Sequence, residues 1–304
     1  MSFLISFPML VLKGFLTLLA LWLLARAVSP LQVLVTLLRA DFLLLLLAIP
    51  LAWAFTALKA VKWGLLIRTS SLPVGIGVAF RSYLIGMAVG LFTPGRVGEV
   101  ARIAYLPPER RLALGSLVAF DKSMDAWAVT ALALPGVNAL FGLRLAFLVA
   151  FGLLIWGFLI LNPGWTAGIL RRKGLTLRLL PWSSQIDQRA LFLAFALTMG
   201  AFGAIAAEAG LLAQAFDPAG ARPAVLVLPA ILIANSLPIT FGSLGVREGV
   251  AIFLMGKLGV TPAAAVLMAF TLFVFNTFFP AVLGFLVAAS GPPRKENADV
   301  ASSS

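Results

Sequence analysis

The sequence predicts an all-α, polytopic integral membrane protein with about six full transmembrane helices plus two broken or re-entrant helical segments. Three observations predict it. The 304 residues are 62% hydrophobic and 11% charged, with a mean hydropathy of +1.06, whereas soluble domains sit near half apolar and a quarter charged. Apolar runs at 112–134, 145–161, 190–213 and 263–289 reach or approach the roughly 20 residues that span a hydrocarbon core as a helix. Two Gly/Pro-rich interruptions carry charges of both signs, which marks them as more than connecting loops.

Helix 1 is expected at 10–28. Lys13 precedes an apolar run ending at Ala25-Arg26-Ala27, but the mostly apolar residues before it make a poor signal-peptide start, so this reads as an uncleaved helix. A short amphipathic stretch at 30–40 fits the interface. Helix 2, at 42–66, ends on Lys59, Lys62, Trp63 and Arg68, an aromatic and cationic border. The apolar segment 73–92 carries Arg81 and runs into Thr93-Pro94-Gly95-Arg96-Val97-Gly98-Glu99, then an amphipathic turn ending at Pro107-Pro108-Glu109-Arg110-Arg111. Helices follow at 112–134 and 143–161, then the longest hydrophilic loop, 162–189, with five cations and one acid, Asp187. Helix 190–214 leads to a helix at 224–237 that breaks at Leu237-Pro238-Ile239-Thr240-Phe241-Gly242-Ser243-Leu244-Gly245. A short segment, 246–258, precedes the last helix, 263–289. One transmembrane domain thus covers 1–290, and 291–304 is expected to be a disordered cytoplasmic tail.

Sorting the basic residues orients the chain. Lys13, the end of helix 2, Arg110/Arg111, loop 162–189 and the tail put 13 Lys/Arg on one side against five on the other: Arg26, Arg39, Arg144, Arg222 and Lys257. The positive-inside rule then places both termini in the cytoplasm of a bacterial-type inner (plasma) membrane. The count holds if 73–106 dips in from the cytoplasm and 224–258 from outside, as an inverted repeat would produce. In transporters such interrupted pairs mark the substrate site, because unwound backbone is tolerated only where protein or water satisfies it.

The chain has no Cys and no His. Disulfides, thiol nucleophiles, Cys/His zinc sites and His-dependent triads are excluded, and no metal or cofactor is expected. The formal charge of +12 is scattered through short loops, a pattern suited to anionic lipid headgroups and not to nucleic acid.

Five acids, Glu99, Asp121, Asp125, Glu208 and Glu248, fall in spans or breaks, matched by Arg81, Arg96, Arg102, Lys122 and Arg247. Charges at that depth face partners or a wet cavity. Glu99 and Arg102 share a helix face, as do Asp121 and Asp125. The two aspartates repel unless a cation lies between them, which Arg96, Arg102 or Arg247 could supply. Lys122 could not, being about 100° around the helix from Asp121. The functional reading is an anionic headgroup site: Arg96 and Arg247 as guanidinium forks for phosphate, the acids orienting them, and helix starts after Gly98 and Gly245 adding N–H groups. The alternative is a salt-bridge network that pins two broken helices. Asn276 and the Ala206/Gly210 pair read as helix-packing features, and Glu208 as a residue near the outer interface.

Residues 93–102 and 237–249 resemble the lysylphosphatidylglycerol synthase transmembrane-region family, also called flippase-like domain proteins. Pro94, Gly95, Arg96, Gly98, Glu99 and Arg102 match its first motif, and Leu237, Pro238, Gly242, Gly245, Arg247 and Glu248 its second. A third feature, Glu-Arg followed by Asp, corresponds to Asp121-Lys122 and Asp125, a departure that keeps the charges but shortens the acid and replaces a fork by a point charge. Lys62-Trp63 resembles the family's basic-Trp pair. The resemblance implies a membrane domain that moves, or helps move, a lipid. It assigns substrate binding to Arg96, Glu99, Arg102, Asp121, Asp125, Arg247 and Glu248, and backbone hinges to Pro94, Gly95, Gly98, Pro238, Gly242 and Gly245. Two-part members carry a soluble domain that aminoacylates phosphatidylglycerol. Here a tail of 14 residues, 291–304, follows the transmembrane domain, so the expectation is a standalone member without that activity.

The leading expectation is therefore a flippase-like protein that binds and translocates an anionic phospho- or glycolipid, without an ATP-binding motif. The alternatives are a lipid-modifying enzyme with Glu99, Asp121 or Asp125 as general base, or a scaffold that holds a lipid-synthesis enzyme through loop 162–189.

Overall fold

A computed structural model describes residues 7–69, 74–106, 111–172 and 187–290. The turn at 107–110, most of the basic loop after 172 and the expected tail at 291–304 lie outside the described residues. Within them the chain is all helix: α1 (Phe7–Ala27), α2 (Pro30–Leu38), α3 (Phe42–Arg68), α4 (Ile76–Phe92), a 3₁₀-type segment (Pro94–Tyr105), α5 (Arg111–Phe141), α6 (Leu143–Leu161), α7 (Pro163–Arg172), α8 (Gln188–Phe216), α9 (Ala221–Ala234), α10 (Val246–Gly256), α11 (Pro262–Phe273), a π turn (Val274–Phe278) and α12 (Phe279–Ala289).

Four helical stretches are long and apolar enough to cross a membrane: Phe42–Arg68, Leu143–Leu161, Gln188–Phe216 and Pro262–Ala289. Val11–Ala27 and Pro30–Leu38 form a pair bent by 71° that adds a fifth if taken as one span. At 31 residues, α5 also has the length to cross; it carries Asp121, Lys122 and Asp125 along its middle. The protein is thus a multi-pass helical membrane protein.

Local chemistry sets several helix ends. Asp41 accepts from the N–H groups of Leu43 (2.9 Å) and Leu44 (3.3 Å), and Asp187 accepts from that of Arg189 at 3.1 Å, supplying orphan donors of α3 and α8 with a carboxylate. The Asp41 N–H donates to Ala215 O at 2.9 Å, tying the start of α3 to the end of α8. These two helices run antiparallel over their length, with Phe55 edge-on to Phe202 at 6.0 Å.

The interior is packed through small side chains, as helix pairs in lipid require. One core gathers Ala48, Ala209, Ala213, Ala264, Ala265 and Ala269 from α3, α8 and α11. Gly210 faces α9, where an added Cβ would stand at an ordinary contact distance of 3.5 Å from Val225. Leu and Phe side chains such as Phe15, Leu18, Phe147, Leu148 and Leu154 cover the outer face.

Each broken segment folds back on a helix. The 3₁₀-type segment lies along α4, whose Gly86 and Gly90 admit it: a Cβ at Gly86 would meet Glu99 O at 2.9 Å, and one at Gly90 would meet Glu99 Cγ at 2.8 Å. The opposite side of α4 receives α12, where a Cβ at Gly284 would meet Ala88 Cβ at 3.0 Å. In the second break, Gly245 takes φ +84° and passes against Ala20 of α1, a conformation open to Gly at no steric cost. Thr17 of α1 accepts from the Phe241 N–H at 3.0 Å.

Candidate functional site

The first break begins its helix earlier than the sequence suggested. The 3₁₀-type segment starts at Pro94 and not after Gly98, so no helix N-terminus opens behind Gly98. The Gly98 N–H is already taken by Thr93 Oγ1 at 2.7 Å, and a Cβ at Gly98 would collide with Val89 O at 2.7 Å. Gly98 is needed for that tight return. Arg96 sits at φ +57°, a left-handed conformation costly for a side chain-bearing residue. The surroundings of Pro94 and Gly95 lie outside the described side chains.

The second break behaves as expected at its helix start. Gly245 precedes α10, and Glu248 Oε2 accepts its N–H at 2.8 Å. The same carboxylate accepts from Arg247 Nε at 2.7 Å. Arg247 Nη1 reaches Gly242 O (3.3 Å) and Asn235 Oδ1 (3.4 Å), while its guanidinium lies 3.8 Å over the Phe273 ring. Nη2 is buried and has no hydrogen-bond partner. Gly242 (φ +56°) and Ser243 (φ +55°) make the turn. Pro238 lies in the coil between α9 and the Phe241–Ser243 turn, where its missing N–H costs no helix hydrogen bond.

The two breaks meet at two small adjoining clefts that share Arg96, Asn235, Phe273 and Thr277 as walls. Gly90, Thr93 and Arg96 line one side of the smaller cleft, and Thr240, Gly242 and Ser243 the other. Arg96 and Arg247 both line the larger one. Arg96 Nη2 donates to Thr277 Oγ1, and its Nη1 lies 3.8 Å from Glu99 Oε1.

Behind Arg96 stand two groups of ion pairs, the outer one partly exposed at Lys122 and the inner one buried. Lys122 pairs with Glu99. Arg102 Nη2 bonds Asp121 Oδ2 at 2.9 Å. Lys62 Nζ lies 2.6 Å from Asp121 Oδ1 and 2.7 Å from Asp125 Oδ1, and Lys59 pairs with Asp125. The Arg102 guanidinium stacks 3.8 Å over Trp63; Trp63 Nε1 donates to Ser82 Oγ at 3.2 Å, which donates to Arg102 O at 2.8 Å.

This arrangement corrects the sequence reading in one respect. Lys59 and Lys62 do not border the membrane: they are 4% and 0% exposed and are the cations between the aspartates. Of the arginines considered, only Arg102 reaches that acidic pair among the described residues. The hydrophobic stem of lysine hides such a residue in an apolar run until its acid partner is known. Lys13 is also buried, at 8%. Removing these three leaves ten basic residues on the expected cytoplasmic side against five, so the bias survives. Arg81 is exposed and stands apart from the network.

Asn276 makes the contact between helices expected of it: its Nδ2 lies 2.8 Å from both carboxylate oxygens of Glu208 on α8. Glu208 itself is fully buried among the helices. Asn276 and Thr277 occupy the π turn of the last helix. Pro280 lacks the N–H that would bond the Asn276 carbonyl four residues back, and such a gap shifts the ladder. Two adjacent polar residues followed by a proline were the signal available in the sequence.

These features define a multi-pass helical membrane protein whose two interrupted segments share the walls of a cleft carrying two arginines. The chain belongs to the family described as the lysylphosphatidylglycerol synthase TM region, whose sequence profile matches residues 10–284. That membership ties this membrane protein to lipid handling. No curated protein is significantly similar to the chain.

Proposed function

We propose that the protein binds and translocates an anionic phospho- or glycolipid, whose headgroup phosphate lies between Arg96 and Arg247 while its acyl chains stay in the bilayer. The observation that carries this reading is the placement of these two arginines, one from each break, on one cleft. Charge supports it. The ion pairs form two neighbouring groups, Arg96 and Lys122 on Glu99 and Lys59, Lys62 and Arg102 on Asp121 and Asp125, each with one cation in excess, while Arg247 is balanced by Glu248. The second excess is buried and the first lies on the partly exposed Arg96 and Lys122; positive charge left uncompensated in a membrane protein's interior is relieved by an anionic ligand. Asp121, Asp125 and Glu99 act through the cations they hold, and Glu248 aims Arg247. Relative movement of the two halves exposes the cleft to either leaflet in turn, with both termini in the cytoplasm of a bacterial-type inner membrane.

The geometry gives less support to a lipid-modifying enzyme. Each candidate base, Glu99, Asp121 or Asp125, is already committed to one or more ammonium or guanidinium groups and does not face an open substrate position.

The test is transbilayer movement of a labelled phosphatidylglycerol in liposomes carrying the purified protein. Movement is expected with the native chain. Arg247→Lys keeps the charge but loses the Nε bond to Glu248 and the planar stack on Phe273, and is expected to slow movement tenfold or more (about 1.4 kcal/mol). Equal movement in protein-free and protein-bearing liposomes overturns the reading.

A further inference from the structure

Glu208 is fully buried on α8, yet it enters none of the ion pairs among the described residues. Its partner is the Asn276 amide. Asn276 Nδ2 faces three acceptors, both Glu208 oxygens at 2.8 Å and Leu272 O at 3.0 Å, while Asn276 Oδ1 is buried without a partner. The two N–H bonds of the amide serve these acceptors with one bond to Leu272 O and the other shared between the two carboxylate oxygens. A neutral amide does not compensate a buried negative charge, and a proton on Glu208 removes that charge.

The surroundings leave the carboxylate little else to pair with. Residues 42–58 of α3, 223–234 of α9 and all of α11 contain no ionisable side chain. The charged groups on the neighbouring elements are Lys59 and Lys62 of α3, held by Asp121 and Asp125 of α5; Lys122 of α5, held by Glu99; Arg247, held by Glu248 on α10; Arg96, held by Glu99 and Thr277; and the exposed Asp41, Arg68, Arg111, Arg144 and Arg222. An ionised carboxylate without a cation at this depth is strongly disfavoured. Asn276 also lines the larger cleft together with Arg96 and Arg247, and π turns of this kind recur at functional sites.

We propose that Glu208 and Asn276 form a proton-binding site reached from the cleft through Asn276, and that proton uptake there accompanies anion binding between Arg96 and Arg247. The proton passes from hydronium in the cleft to the Glu208 carboxylate, leaving water and a neutral acid; no other reactant is consumed. With Glu208 ionised, a buried negative charge stands next to Asn276 on the wall of the cleft and the anion is held less tightly. By reciprocity, a bound anion favours the protonated acid. Anion and proton therefore load together, which couples lipid movement to a proton gradient. The anion half of this inference rests on the function proposed above, and the proton half does not.

The proton site is tested by infrared difference spectra, acid minus alkaline buffer, of the full chain in phosphatidylcholine nanodiscs. A protonated-acid carbonyl band is expected that disappears at alkaline pH and is absent from Glu208→Gln. Identical spectra for the two proteins overturn the site. If Glu208→Gln does not fold, Asn276→Ala serves: the band is expected to shift as its hydrogen bond is lost, and an unshifted band is the contrary result. Coupling is read from binding of phosphatidylglycerol as a function of pH. Native affinity is expected to rise about 5- to 150-fold as the pH falls through the titration, with Glu208→Gln flat at the acid-limit affinity. A flat native profile sinks the coupling. No phosphatidylglycerol binding at any pH, with the infrared band present, removes the lipid reading and leaves the proton site standing.

Discussion

Lys62 holds Asp121 at 2.6 Å with both side chains at most 1% exposed, and the same Nζ lies 2.7 Å from Asp125. One lysine of α3 thus keeps two carboxylates, a helical turn apart on α5, from repelling each other. Breaking a buried pair by deleting one member costs about 3–5 kcal/mol, because the other charge is left uncompensated. Lys62→Met is expected to lose that much stability in detergent unfolding. Adding Asp125→Asn should return part of it, since Asp121 keeps Arg102. A Lys62→Met protein as stable as the native chain would mean the aspartates are held by something else.

The helix-packing reading of α4 gives a second expectation. An Ala at Gly90 would place its Cβ 2.8 Å from Glu99 Cγ, and Glu99 cannot step aside without leaving Lys122 and Arg96. Gly90→Ala is expected to cost about 1–3 kcal/mol. Gly115→Ala in α5 meets nothing within 4 Å and should be neutral or stabilising by up to about 1 kcal/mol. Comparable melting temperatures for the two variants would contradict the close approach of α4 and the 3₁₀-type segment.

How much of this was legible in the sequence follows from these residues. Apolar length gave the spanning helices, and α3 at Phe42–Arg68 and α6 at Leu143–Leu161 fall within two residues of their expected ends. Proline, glycine and charge together located both breaks, and Arg96 and Arg247 do line one cleft. The partners were hidden. Lys59 and Lys62 resembled a membrane border because depth along a helix cannot be read without its neighbours, and α8 had to be docked before Glu208 could meet Asn276. Periodicity reports which face of a helix is apolar, but not which charge of another helix arrives at it.

Topology gives a third expectation, and the absence of cysteine from the chain makes it simple to check. Single cysteines introduced at Arg68 and in the basic loop 162–189 are expected to react with a membrane-impermeant maleimide only after the inner face is exposed. One at Arg144 or Arg222 should react from outside. Labelling of the basic loop in intact cells would reverse the orientation, because ten basic residues to five would then face the wrong way.

The second break supplies the last expectation. Ser243 adopts φ +55°, which costs a residue with a Cβ about 1–2 kcal/mol, yet its hydroxyl donates to Asn235 O at 2.9 Å and lies 3.3 Å from Leu237 O. The hydrogen bond, worth about 1 kcal/mol, offsets the strain. Ser243→Ala removes the bond and keeps the strain, so it should destabilise. Ser243→Gly removes both and should stand near the native protein, although glycine has more freedom to lose on folding. The order Gly above Ala, measured as melting temperature in one detergent, is the expected result at a position that also lines the smaller cleft. The reverse order would show that Ser243 is not held in the left-handed conformation, and the turn that brings Gly242 beneath Arg247 would need a different backbone.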